Sequence, residues 1–158
     1  MPKVYQFQRK QVIKTDIETA WDFMRSPANL NKITPPDMTF TILSDLPDVM
    51  FEGQIIRYKI RIPMIGEQDW LSELKHIKEK HSFVDDQRIG PYKLWYHYHQ
   101  IQECSEGVEF LDHITYSIPF GIFGELAHCI YVKNQLKKLF DFRAKTTPQL
   151  LEKPNFHV

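Results

Sequence analysis

The chain predicts one α+β domain: a curved antiparallel sheet of about seven strands wrapped on a long C-terminal helix, with two short helices after the first strand. Three features lead there. Over residues 38–118 apolar and polar positions alternate in runs separated by Gly and Pro, the two-residue period of strands joined by tight turns. Beyond Gly121 the apolar residues recur every three or four positions, which is the period of a helix. No linker, repeat or low-complexity segment divides the 158 residues, a length that suits one core.

The elements follow in order. A first strand over residues 4–14 alternates loosely and closes on Val12-Ile13. Thr15 or Asp16 caps the next helix, because a short oxygen-bearing side chain accepts from the free N–H groups of a first turn. Glu18 lies in that turn, while Ile17, Ala20, Trp21 and Met24 take helical spacing up to Ser26-Pro27. A second short helix over residues 28–33 stops at Thr34-Pro35-Pro36. Six strands are expected next, over residues 38–44, 54–62, 67–78, 81–89, 93–104 and 108–118. Gly53, Pro63 to Gly66, Gly90-Pro91 and Gly107 make the turns, and connections this short favour a continuous antiparallel meander. On the last helix Leu126, Cys129, Ile130, Leu136, Leu139 and Phe140 mark the buried face. Lys133, Lys137, Lys138, Arg143 and Lys145 lie largely elsewhere, Pro148 is the expected stop, and residues 150–158 form a tail.

Composition narrows the function. Apolar residues make up 42% and aromatics 13%, as a folded core requires. Lys plus Arg and Asp plus Glu number 20 each, so no net field draws nucleic acid or an anionic membrane. The first residues form no hydrophobic signal region, and no apolar run reaches the length of a membrane span. The expectation is a cytoplasmic protein with reduced thiols at Cys104 and Cys129.

The candidate site comes from strand parity. Phe83, Asp85 and Gln87 share a face, as do Trp95, His97, His99 and Ile101, and as do Asp112, Ile114, Tyr116 and Ile118. Apolar bulk mixed with acids, amides and imidazoles is costly in a plain core, so the mixture points to a cavity. Tyr58, Trp70, Trp95 and Tyr116 add aromatic walls with polar handles, which suit a small hydrophobic or amphipathic ligand. Phe120 and Phe123, beside Gly121 and Gly124, are placed at the cavity mouth with room to move.

The order of elements and a series of short motifs resemble the SRPBCC superfamily, which includes START domains, pollen-allergen-like proteins and polyketide cyclases. The motifs are similar to those of its bacterial ligand-binding, cyclase/dehydrase-like branch. They include Trp21-Asp-Phe, Ile33-Thr-Pro35-Pro36, Glu52-Gly53-Gln54, Phe83-Val-Asp85-Asp-Gln87 and Gly90-Pro91. Trp95-Tyr-His97-Tyr-His99, Asp112-His-Ile-Thr-Tyr116, Pro119-Phe-Gly121 and Leu139-Phe-Asp-Phe-Arg143 complete the set. The resemblance spans about residues 4–143. It implies a helix-grip fold and a hydrophobic-ligand cavity, and it does not by itself imply an enzyme.

Three chemistries compete for the polar residues. His97 or His99 backed by Asp85 or Asp112 has the make-up of a general base for a cyclase or dehydratase. His97, His99 and Glu103 also resemble the first cupin metal motif, but the histidine expected after Pro119-Phe-Gly121 is missing. The favoured reading is a hydrogen-bonded network in which a histidine pairs with Asp85, Gln87 or Asp112, with no metal and no cofactor. No GxSxG element or phosphate-cradling glycine loop occurs. The basic side of the last helix reads as a solvated face rather than a membrane contact. Oligomeric state is not legible.

Overall fold

The computed structural model describes residues 3–152. Its strands are β1 (Tyr5–Ile13), β2 (Thr39–Ile42), β3 (Ile55–Ile62), β4 (Gly66–Lys78), β5 (Ser82–Ile89), β6 (Leu94–Cys104) and β7 (Gly107–Ser117). All pair antiparallel in one sheet of order β1-β7-β6-β5-β4-β3-β2. Consecutive strands are therefore neighbours from β2 to β7, as short turns require, and β1 closes against β7 with Tyr5 opposite Tyr116. The pleat sorts the side chains: β3 buries Ile56, Tyr58, Ile60 and Ile62 and turns Ile55, Arg57, Lys59 and Arg61 outward.

After β1 comes α1 (Ile17–Met24), whose first turn is capped by Asp16 accepting the Thr19 N–H at 2.8 Å. The second short helix is a 3-10 segment, Pro27–Ile33, not an α-helix. The terminal helix begins at Gly121 and runs as α2 (Gly121–Ala127), a π-turn (His128–Val132) and α3 (Lys133–Leu151), 31 residues in all. It lies against the concave side of the sheet. Trp21, Phe83, Ile101, Ile114, Leu136 and Phe140 meet there in one core.

Three expectations about this helix are corrected. Leu126, Cys129 and Ile130 do not face the core; Ile130 is 66% exposed. The π-turn inserts a residue into one turn and so rotates the preceding face, leaving Gly124 and His128 inward. Pro148 does not stop the helix, which continues to Leu151. Proline lacks the N–H that would bond the carbonyl four residues back, and here Gln11 Nε2 donates to that carbonyl, Ala144 O, at 2.7 Å instead. Arg143, expected on the outer basic face, turns inward and donates from Nε to Ile33 O at 3.3 Å. Of the expected tail, Leu150 and Leu151 are helical, and residues 153–158 lie outside the described residues. Among the described residues no helix is long and apolar enough to cross a membrane.

Candidate functional site

Between the sheet and the terminal helix lies a cavity of about 640 Å³, within the size range of small-molecule sites. Its sheet wall is built by inward positions of β3, β4, β5 and β6: Tyr58, Trp70, Asp85, Trp95, His97 and His99. Its helical wall includes Ala127, Tyr131, Leu136, Leu139, Phe140 and Arg143. Phe120 and Phe123 line it as well, yet stand 81% and 82% exposed, so they form its rim. Gly124 does not supply movement there. A Cβ at that position would run into the Pro119 carbonyl oxygen, so this glycine lets the strand exit pack closely on the helix.

Three expected lining residues sit elsewhere. Gln87 lies past the last β5–β6 pair, Asp86 opposite Tyr96, and its amide donates to Tyr92 O at 2.7 Å, holding the turn. Tyr116 is buried behind Tyr92 and Trp95, 2.8 Å from His128 Nε2. Burial pushes its phenol up to about 12, with the neighbouring Tyr5 contributing. Asp112 lines a smaller cavity of about 90 Å³ on the β1 side rather than the large one. Parity puts all three on the inner face, but the turn takes Gln87, packing behind Tyr92 and Trp95 takes Tyr116, and the place of β7 beside β1 takes Asp112 away from the wall.

The polar end of the cavity has two separate networks. In the first, His97 Nε2 lies 2.8 Å from Asp112 Oδ1, and His99 Nδ1 lies 3.1 Å from the same oxygen. The two rings are 3.7 Å apart, and His99 stacks on Phe83. Burial, helped by the neighbouring His99, pushes His97 down to about 3 against its bond to Asp112. Burial alone would push Asp112 up, but the hydrogen bonds and charge of the two histidines hold it well below the usual carboxylate range. The pair is therefore a neutral imidazole donating to a carboxylate.

In the second network Trp70 Nε1 donates to Ser72 Oγ at 2.9 Å, and Ser72 donates to Asp85 Oδ1 at 2.6 Å. Burial raises Asp85 above its ordinary value despite the serine. Asp85 thus does not back a histidine; that role belongs to Asp112 alone. Ser72 and Arg143 were both missed by the sequence reading. Parity with Trp70 and Leu74 could have found Ser72, and the spacing from Leu136, Leu139 and Phe140 could have found Arg143.

The metal question changes residues. Glu103 pairs across to Val108 at the far end of β6 and is exposed. Asp112 takes its place: donor atoms of His97, His99 and Asp112 lie within 4.8 Å of one another, and no other such group occurs among the described residues.

No family model and no curated protein matches the sequence. Solved structures do. A START superfamily protein from Mycobacterium smegmatis superposes with a TM-score of 0.69 at 11% identity, covering 92% of this chain and 96% of that one. The fold is the helix-grip fold. Ginseng major latex-like protein 151 from Panax ginseng shares that fold at a TM-score of 0.69 and 11% identity, covering 95% of this chain and 99% of that one. Protein TTHA0849 from Thermus thermophilus shares it at 0.68 and 14%, covering 92% and 99%. The sequence expectation of this helix-grip architecture holds.

Proposed function

We propose that this protein binds a small, mainly hydrophobic molecule in the cavity between the sheet and the terminal helix. The observation that carries the reading is the cavity itself: about 640 Å³ walled chiefly by aromatic and aliphatic side chains, with a few polar groups gathered at one end. A core filled by its own side chains would leave no such space. The apolar rim of Phe120 and Phe123 offers a first contact for an apolar ligand.

N-phenyl-1-naphthylamine, a neutral apolar fluorophore, tests this reading. Saturable binding of one probe per chain is expected, roughly tenfold weaker in Ala127→Trp, which fills the mouth from an exposed position. No saturable binding by the wild type, or equal binding by the variant with unchanged circular dichroism, would refute it.

The histidine–Asp112 cluster favours a second reading, a cyclase or dehydratase. His99 held through Nδ1 leaves Nε2 as its working nitrogen, the arrangement of an oriented general base. His97 is the poorer base, since it gains a proton only at low pH. Conversion of a bound ligand that stops in Asp112→Asn while binding persists would establish the enzyme.

A further inference from the structure

At the polar end of the cavity both acids have side-chain hydrogen-bond partners, and the arginine near them is paired with neither. Asp85 is taken by Ser72 at 2.6 Å, and Asp112 by His97 at 2.8 Å with His99 at 3.1 Å. Arg143 lies close enough to feel both carboxylate charges. Yet among the described residues it forms no ion pair, and its one hydrogen bond runs from Nε to Ile33 O at 3.3 Å. Its guanidinium carbon sits 5.0 Å from the Phe140 ring centroid, so the cation rests on the ring face and its orientation is fixed. Four of the five guanidinium N–H donors remain unused. They belong to a residue that lines both the large and the small cavity, together with Leu30, His99 and Phe140.

Arg143 is half-buried at the cavity wall, and the two carboxylates it feels are already bonded to other groups, so its free donors can be satisfied by a guest. The free edge of a guanidinium matches the two oxygens of a carboxylate in a bidentate pair. Asp85 and Asp112 nearby disfavour a second negative charge on the guest, which argues against a phosphate dianion. The cavity also runs along the helix from Phe123 to Arg143, about 30 Å at helical rise, so its shape suits an elongated guest.

We propose that Arg143 anchors a carboxylate of the ligand, so that the site takes amphipathic monocarboxylic acids, acid head at Arg143 and apolar tail toward Phe120 and Phe123. This assignment rests on the ligand-binding reading above and names its ligand class.

Displacement of N-phenyl-1-naphthylamine by three guests of equal chain length tests it near neutral pH. Dodecanoate is expected to displace the probe at roughly tenfold lower concentration than dodecan-1-ol, with dodecylammonium the weakest. In Arg143→Gln the probe still binds and the advantage of the acid over the alcohol disappears; Arg143→Lys, which keeps the charge without the fork, restores part of it. Equal displacement by acid and alcohol, or a preference for the ammonium, overturns the assignment while probe binding leaves the cavity reading standing. An unchanged acid preference in Arg143→Gln does the same. Failure of the wild type to bind the probe overturns both. The wild-type series involves no variant, so it decides the matter even where Arg143→Gln does not fold.

Discussion

Acidification should destabilise this fold through His97, by an amount that follows from its surroundings. The residue is 5% exposed, and its imidazole is pushed from an ordinary 6.5 down to about 3 by burial and by His99. Between those values the unfolded chain holds one proton more than the folded one. Stability is then fully present above the unfolded value and is lost as pH falls toward the folded value, at about 1.4 kcal/mol per unit. From pH 7 to pH 5 the loss is about 2 kcal/mol, or roughly 4–8 °C in Tm. His128, also pushed down by burial, adds in the same direction. Asp85, pushed up by burial, works the opposite way, because folding favours its protonated form. His97→Gln removes the first contribution and leaves these two in place. Urea unfolding at pH 7 and pH 5 should therefore show the wild type losing about 2 kcal/mol more than the variant. In proton NMR the His97 ring signals should stay constant across that range. Equal losses in the two proteins, or a His97 resonance titrating near its ordinary value, would refute the argument.

Two further changes probe the frame of the site. Ser72→Ala strips the acceptor from Trp70 Nε1 and the donor from Asp85 at once, so thermal unfolding should show a loss of about 1–3 kcal/mol; an unchanged melt would mean that water replaces the hydroxyl. Gly107→Ala places a side chain at a φ of +136° and against the Ile13 carbonyl where β7 meets the end of β1. Its denaturant midpoint should fall by the equivalent of about 2 kcal/mol or more, and a midpoint within error of wild type would show that the corner relaxes freely.

Much of the architecture was legible because it rests on local rules. The two-residue period of β3, the Asp16 cap and the tight turns each speak through neighbours in sequence. So did the inward parity of His97 and His99, since strand alternation needs no knowledge of what lies opposite. The cavity-facing aromatics Tyr58, Trp70 and Trp95 were found in the same way. The terminal helix was legible in existence but not in phase, because one π-turn rotates everything before it. Pro148 misled for a related reason: the partner that replaces its missing hydrogen bond, Gln11, is far away in sequence.

The sequence by itself determined the α+β class, the neighbour-to-neighbour order of β2 to β7 and the face on which the histidines stand, because periodicity and turn chemistry are properties of adjacent residues. Only the tertiary structure decided which acid serves which partner. Asp85 and Asp112 have the same parity and the same chemistry, and register puts each opposite a histidine, Asp85 across from His97 and Asp112 across from His99. Yet the side chains turn so that both histidines meet Asp112 and Asp85 bonds Ser72 on the neighbouring strand. It also decided that Arg143 faces the cavity, because the inward arc of a helix is fixed by what it packs against, and here that is a curved sheet whose concave side it does not completely fill.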